Sequence, residues 1–218
     1  MAAAHSIPAA THGRYLVQPG SVAATALVVG FHGYAEDAEA QLDRLRSVPG
    51  SDSCVLISVQ GLHRFYRGRS QDVVASWMTR QDRELAIADN LAYTAAVLDA
   101  VAREWPGAPR VVLAGFSQGV AMMFRAAIAA PTPVDGVIAV GGDIPPEIDA
   151  TALGRVRSAL VGAGARDEWY TAQKFDSDMR RLTDAGARVE PVRFDGGHEW
   201  HADVINAATR FLLRVAGT

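Results

Sequence analysis

The chain has 218 residues, 49% of them hydrophobic, which is enough for one α/β domain with a sizeable core. Its formal net charge of −3 gives no basic footprint for nucleic acid, and its single cysteine, Cys54, excludes an intramolecular disulfide. The amino terminus lacks the pattern of a signal peptide, and no apolar run approaches the length of a membrane span. We therefore expect a cytoplasmic protein without stable membrane insertion. Lys174 is the only lysine among many arginines, a bias typical of GC-rich bacterial genomes.

Hydrophobic patterning in the first half of the chain alternates between strand and helix. We interpret residues 1–12 as a loose leader and residues 13–218 as a single domain. Short apolar runs predict strands at 14–18, 26–31 and 54–59. Apolar residues at helical spacing predict a helix at 36–47. Residues 61–80 are less regular and are expected to form a long surface loop, which in the alternative interpretation leans over a functional site with Trp77 on its wall.

The second half continues the alternation. A long amphipathic helix is expected at 82–105, with one inward apolar face made of Leu85, Ala88, Leu91, Ala95 and Leu98. A strand beginning at 111 is followed by a helix to about 130, and Pro131-Thr132-Pro133 forms a break. Further strands are predicted at 134–140, 158–163 and 188–194, with helices at 171–185 and at the carboxyl end. Regular alternation predicts a mostly parallel sheet with helices on both faces.

The sequence Gly115-Phe116-Ser117-Gln118-Gly119 fits the pattern G-x-S-x-G and lies between a predicted strand and a predicted helix. This context is typical of a nucleophile elbow, in which a sharp turn exposes the serine at the carboxyl end of the strand. Side chains at 115 and 119 would collide with neighbouring backbone in so tight a turn. Ser117 is therefore the candidate nucleophile.

A serine hydroxyl needs a base, and the base needs an acid that orients it. On this architecture the chain order is serine, acid, histidine. His198 is the first histidine after Ser117 and follows a predicted strand, whereas its competitor His201 lies at the start of a predicted helix. Asp167 is the preferred acid, and Asp143, at the end of the preceding strand, is the alternative.

An oxyanion hole requires two backbone N–H groups. The residue after the nucleophile, Gln118, supplies one, and Tyr34, in the loop that follows an early strand, is our candidate for the second. His32 in the same loop could serve as a ligand or a base, although a structural role is favoured. His198 and His201 are three residues apart rather than four, so they do not match a zinc-binding helix, and we predict no metal site.

The segments Phe31-His32-Gly33, Gly115 to Gly119, Gly162 to Asp167 and Gly197 to Trp200 resemble the α/β-hydrolase superfamily. The resemblance is strongest to its small carboxylesterase/phospholipase branch, which includes the acyl-protein thioesterases, and it runs from about Arg14 to Val215. It implies the α/β-hydrolase fold, a three-layer α/β/α sandwich around a mostly parallel central sheet. It also implies a triad of Ser117, Asp167 and His198.

The chain departs from that branch in three places. Glu168-Trp169-Tyr170 replaces a small apolar residue and a proline after the acid, Tyr34 replaces a leucine, and Gly119-Val120 replaces a Gly-Gly pair. These departures are expected to alter the acyl pocket. Trp77, Trp169 and Trp200 could line that pocket with Tyr34, or some of them could be core residues that show an edge.

We therefore predict a serine hydrolase that cleaves carboxylic esters of small or medium acyl groups through an acyl-enzyme on Ser117, without a cofactor. A thioester would use the same groups. The expected partner is a small-molecule ester, not nucleic acid, and the sequence leaves a homodimer open. Two alternatives remain. One is a hydrolase-fold protein that binds a small ligand with little turnover, and the other is an acyltransferase.

Overall fold

A computed structural model describes residues 1–20, 24–131 and 134–216. Its strands are β1 (Arg14–Gln18), β2 (Leu27–Phe31), β3 (Val55–Gln60), β4 (His63–Tyr66), β5 (Val73–Ser76), β6 (Val111–Phe116), β7 (Gly136–Val140), β8 (Ser158–Gly164) and β9 (Arg188–Phe194). Its helices are α1 (Ala38–Arg46), α2 (Arg83–Glu104), α3 (Gln118–Ala129), α4 (Ala150–Leu153), α5 (Ala172–Asp184) and α6 (Ala202–Ala216). A short 3₁₀ turn spans Ser51–Ser53.

Seven strands form one twisted sheet in the order β1-β3-β2-β6-β7-β8-β9. Only β1 runs antiparallel to its neighbour; the other neighbouring pairs are parallel. One face of the sheet packs against α1 and α6, and the other packs against α2, α3 and α5. The predicted three-layer architecture with a mostly parallel sheet is confirmed, and it places the carboxyl ends of β2, β6, β7, β8 and β9 along one edge.

Strand β6 lies at the centre of the sheet and is buried on both faces. Leu113 packs into the cluster beneath α2 and α3, while Val112 and Ala114 pack into the cluster beneath α1 and α6. A strand covered on both faces carries a continuous apolar run rather than an alternating one. The run in the sequence therefore identified this strand correctly.

Residues 61–80 contain a β-hairpin, so the prediction of a long irregular loop is wrong for this segment. Strands β4 and β5 pair antiparallel, from His63 opposite Ser76 to Tyr66 opposite Val73. All four side chains of β4 are exposed, so its sequence lacks the alternation of apolar and polar residues that predicts a half-buried strand. A bridge between Glu36 and Ala75 ties the hairpin to the loop after β2.

The inward face predicted for the long helix α2 is only partly correct, because Leu91 and Leu98 pack against the core whereas Ala88 and Ala95 are exposed. Leu85 is exposed, and the buried side of the helix carries Ala86, Ile87, Asn90, Thr94, Val97 and Val101. Two polar side chains, Asn90 and Thr94, lie on the buried side, so that side shows no continuous apolar pattern in the sequence. Asn90 donates to the carbonyl oxygens of Trp77 and Ala86 and accepts from the N–H of Leu62. Although no uninterrupted apolar run in the sequence reaches the length of a membrane span, α2 is, among the described residues, the one helix that would suffice by length and average composition; its buried side packs against the core.

Residues 1–13 carry no helix or strand, and their side chains are exposed. The division into a leader at 1–12 and one domain at 13–218 stays a prediction. Thr132 and Pro133 of the predicted break lie outside the described residues.

Candidate active site

The serine turn begins where β6 ends. Ser117 has φ of +53° and ψ of −122°, a backbone conformation that residues other than glycine rarely adopt. Helix α3 starts at the next residue. A Cβ at Gly119 would lie 2.1 Å from the carbonyl oxygen of Phe31, and a Cβ at Gly115 would lie 2.8 Å from Cα of Val120. The steric reason predicted for both glycines is therefore confirmed.

His198 connects the serine to a carboxylate. Its Nε2 lies 2.8 Å from Oγ of Ser117, and its Nδ1 lies 2.8 Å from Oδ2 of Asp167. A carboxylate only accepts, so Nδ1 carries the proton and Nε2 is free to accept from the hydroxyl. This is the arrangement that a general base beside a nucleophile requires.

Asp167 is held firmly in that arrangement. Its side chain is 1% exposed, and its second oxygen, Oδ1, accepts from the backbone N–H groups of Trp169 and Tyr170 at 2.9 Å each. Tyr170 is itself fixed, because its buried hydroxyl donates to Asp178 at 3.1 Å. The segment Glu168-Trp169-Tyr170, in which the chain departs from the branch that it resembles, thus supports the acid.

Two glycines bring the loops after β7, β8 and β9 together. A Cβ at Gly164 would lie 2.2 Å from the carbonyl oxygen of Gly197, so the loops that carry Asp167 and His198 can approach this closely only because residue 164 has no side chain. Gly141 has φ of +66°, and a Cβ on it would lie 3.1 Å from Cε1 of His198. This role was not predicted from the sequence, although the pair Gly141-Gly142 at the end of a predicted strand was a visible signal.

The competing polar residues lie elsewhere. Asp143 pairs with Lys174 at 3.5 Å and is half exposed, and His201 stacks on Phe194 with its ring 4.7 Å away. Neither residue contacts His198 among the recorded bonds of the described chain. The structure thus places Asp167 and His198, rather than these alternatives, beside Ser117.

His32 is buried and is the first residue of the loop after β2. Its Nε2 accepts from the N–H of Gly61 at 3.0 Å, so Nδ1 carries the proton that it donates to the carbonyl oxygen of Gly33 at 2.7 Å. Burial lowers the pKa of this imidazole, which favours the neutral form. Both ring nitrogens bind backbone, which fits the structural role favoured for this residue.

The two candidate oxyanion donors follow the ends of two neighbouring strands, β2 and β6. Gln118 is the first residue of α3, so its N–H belongs to the group without an acceptor inside the helix. Tyr34 follows the end of β2, which pairs with β6 through Phe31 and Gly115. Both residues therefore lie at the same edge of the sheet as Ser117.

The side chain of Gln118 has a second function that the sequence did not reveal. Its Oε1 accepts from the N–H of Trp77 at 3.0 Å and from Oγ of Ser76 at 3.2 Å, while its Nε2 donates to the carbonyl oxygen of Met78 at 3.0 Å. The amide thus binds the segment after β5 to the start of α3.

The three tryptophans proposed for the pocket differ in their surroundings. Trp77 has no exposed surface, and its indole N–H donates to the carbonyl oxygen of His32 at 2.8 Å. It is a core residue, so its placement on an open wall is wrong. Trp200 is half-buried against the cluster beneath α6, whereas Trp169 is 75% exposed beside Asp167. Tyr34 is also exposed, at 59%, and its ring lies 5.8 Å from that of Phe65.

Within the described residues, no group of three or more histidine, cysteine, aspartate or glutamate side chains is arranged to hold a metal ion.

Comparisons with known proteins agree with the fold. The crystal structure of an acyl-protein thioesterase 2 from Zea mays superposes with a TM-score of 0.75 at 16% identity, over 94% of this chain and all of that one. Esterase PE8 gives 0.72 at 24% identity (94% and 100%), and a Bacillus cereus carboxylesterase gives 0.72 at 17% (93% and 94%). At such identities the likeness shows the fold alone.

No match was found among curated protein sequences. The family model described as phospholipase/carboxylesterase matches residues 12–215, and the chain therefore belongs to that family of α/β-hydrolases.

Proposed function

We propose that the protein is a serine hydrolase that cleaves carboxylic esters of small or medium acyl groups through an acyl-enzyme on Ser117. The observation that carries the proposal is the position of His198, whose two ring nitrogens lie 2.8 Å from Ser117 Oγ and 2.8 Å from Asp167 Oδ2. A fold alone does not imply an activity, but this geometry supplies the nucleophile, the base and the orienting acid that acyl transfer needs.

The proposed reaction has two halves. Ser117 Oγ attacks the ester carbonyl carbon while His198 Nε2 takes its proton, and Asp167 stabilises the imidazolium that forms. The N–H groups of Tyr34 and Gln118 bind the negative oxygen of the tetrahedral intermediate. His198 then gives its proton to the leaving alcohol, and the acyl group stays on Ser117. Water attacks that ester with His198 again as the base, which releases the acid and restores the hydroxyl.

The surroundings of the triad support small or medium substrates. The imidazole of His198 is a quarter exposed, and the exposed rings of Tyr34 and Trp169 offer apolar surface to an acyl or aryl group. Trp77, which was expected to line the acyl pocket, is buried in the core and adds no surface to it. A thioester would undergo the same steps, with a thiolate as leaving group, and one structural neighbour is named as an acyl-protein thioesterase.

The test is intact-mass analysis after exposure to a fluorophosphonate, which phosphonylates an activated serine with loss of fluoride. We expect one adduct on the wild type and none on Ser117→Ala. Asp167→Asn should label at least 100-fold more slowly because the imidazole loses its orienting acceptor, in line with losses of about 10⁴-fold in kcat at comparable triads. Asp143→Asn is the matched control and should label at the wild-type rate.

Two results would count against the proposal. A folded wild type that takes no adduct would leave Ser117 unactivated and would favour a small-ligand binding protein. If Asp143→Asn and Asp167→Asn were labelled at the same rate, the assignment of Asp167 as the orienting acid would be wrong. Once Ser117 is labelled, a series of p-nitrophenyl esters of increasing chain length measures the acyl preference.

A further inference from the structure

A half-buried ion pair adjoins the loop that carries Tyr34. The carboxylate of Glu36 binds the guanidinium of Arg44 through both oxygens, with 2.7 Å from Oε2 to Nη1 and a second, short contact from Oε1 to Nη2. The two side chains are only 21% and 16% exposed. Such two-point pairs fix direction as well as distance, so each partner holds the other in one orientation.

Glu36 also binds the backbone of the loop. Its Oε2 accepts from the N–H of Gly33 at 2.7 Å, one residue before the candidate donor Tyr34. On the other side of Tyr34, Ala35 has a φ of +56°, and its N–H donates to the carbonyl oxygen of Ala75 at 3.0 Å. Tyr34 thus lies between two anchored residues, and the direction of its N–H depends on both anchors.

Arg44 extends the pair to the nucleophile. Its guanidinium carbon lies 4.1 Å from the ring centroid of Phe116, the residue immediately before Ser117. The ring of Phe116 in turn lies 5.1 Å from the imidazole of His198, centroid to centroid. One ion pair therefore contacts the donor loop on one side and the elbow and its histidine on the other.

The charge state of Glu36 suits this arrangement. Burial acts to raise the pKa of the Glu36 carboxyl, but the hydrogen bonds and charge of Arg44 outweigh it and keep the pKa below its ordinary value. The carboxylate is ionised at neutral pH and accepts from both partners.

We propose that Glu36 and Arg44 are positioning residues that hold the Tyr34 N–H and the Ser117 elbow in fixed relation for the reaction. This inference rests on the proposed function, since it concerns the oxyanion hole of that same site. Neither side chain touches the reacting atoms. Preorganised donors stabilise a developing charge without reorganisation. A shift in the position of the Tyr34 loop should therefore weaken binding of the transition state more than binding of the substrate.

The experiment compares Glu36→Gln with Glu39→Gln. Glu39 also binds an arginine through two contacts, to Arg14, but that pair is exposed and belongs to β1 and α1 away from the site. The readouts are kcat and KM for a short-chain aryl ester and the rate of fluorophosphonate labelling. We expect kcat and labelling to fall about 10- to 100-fold in Glu36→Gln with KM within about threefold, less than the full loss of an oxyanion donor. Glu39→Gln should keep wild-type values.

The outcomes separate this inference from the function on which it rests. Folded Glu36→Gln with wild-type kcat and labelling would mean that the pair only stabilises the fold. If Glu36→Gln does not fold, Arg44→Lys decides: it keeps the charge but loses the planar fork, and a wild-type kcat there overturns the inference. A wild type that takes no label overturns the proposed function and this inference together, whereas a labelled wild type isolates the role of the pair.

Discussion

Gly141 offers a direct test of how the imidazole of His198 is held. Its φ of +66° favours glycine, and the nearest atoms to an added Cβ are Cε1 and Nδ1 of His198, at 3.1 and 3.2 Å. Ordinary carbon contacts begin near 3.4 Å. In Gly141→Ala the ring must therefore move by a few tenths of an ångström, against the 2.8 Å bonds at both of its nitrogens.

The expected cost has two parts. A non-glycine residue in the left-handed region costs about 1–2 kcal/mol of folding free energy. Displacement of the base is a separate, catalytic cost. Because a misplacement of about 1 Å can reduce rates about 100-fold, a shift of a few tenths should reduce kcat roughly 10-fold. KM should change little, since the ring acts on the proton rather than on substrate binding.

Gly186 supplies the matched control. It has a similar φ of +85°, but nothing lies within 4 Å of an added Cβ. Urea unfolding should show similar losses for Gly186→Ala and Gly141→Ala, while steady-state hydrolysis of a short-chain ester should show the loss of kcat in Gly141→Ala alone. Wild-type kcat in a folded Gly141→Ala would refute the claim that this glycine makes room for the base.

Two further predictions concern stability. Burial raises the pKa of Asp178 from 3.8 to about 6, so the folded state binds more protons than the unfolded state in that window, and stability should fall by about 2–3 kcal/mol as the pH rises from 4 to 6. Asp178→Asn should flatten this part of the pH profile in urea unfolding, and an unchanged slope would contradict the assignment. Ser117→Gly should be about 1 kcal/mol more stable than Ser117→Ala, because it relieves the positive φ, and both should be inactive. Equal unfolding midpoints for the two variants would argue against strain at the elbow.

The sheet was largely predictable from the sequence because its central strands are buried on both faces. β2, β6, β7 and β8 read as continuous apolar runs, and each is bounded by turn-forming residues. β4 was not predictable in this way, because its exposed side chains follow no apolar period. The face of α2 was predicted only in part, because Asn90 is buried by hydrogen bonds to Trp77 and Leu62, which a single sequence does not reveal.

The candidate triad was predictable because motif and chain order restrict it to few residues. The structure brings Ser117, Asp167 and His198 together as expected. The supporting contacts were not predictable, since neither has the three- or four-residue spacing of neighbours on one helix face. Glu36 binds Arg44 across the start of α1, and the amide of Gln118 reaches the backbone after β5. Neither contact leaves a local pattern that a single sequence can display.

Backbone strain links the site to the fold that carries it. Among the described residues, three non-glycine residues have positive φ, and two of them, Ala35 and Ser117, belong to the candidate oxyanion loop and elbow. Such conformations cost about 1–3 kcal/mol each and persist only where surrounding contacts fix them. Ala35 is fixed by Ala75 and Arg67, and the N–H of Ser117 donates to the carbonyl oxygen of Val140 at 2.9 Å. The fold thus stabilises two unfavourable turns at the same edge of the sheet, one beside the candidate donor Tyr34 and one at the candidate nucleophile.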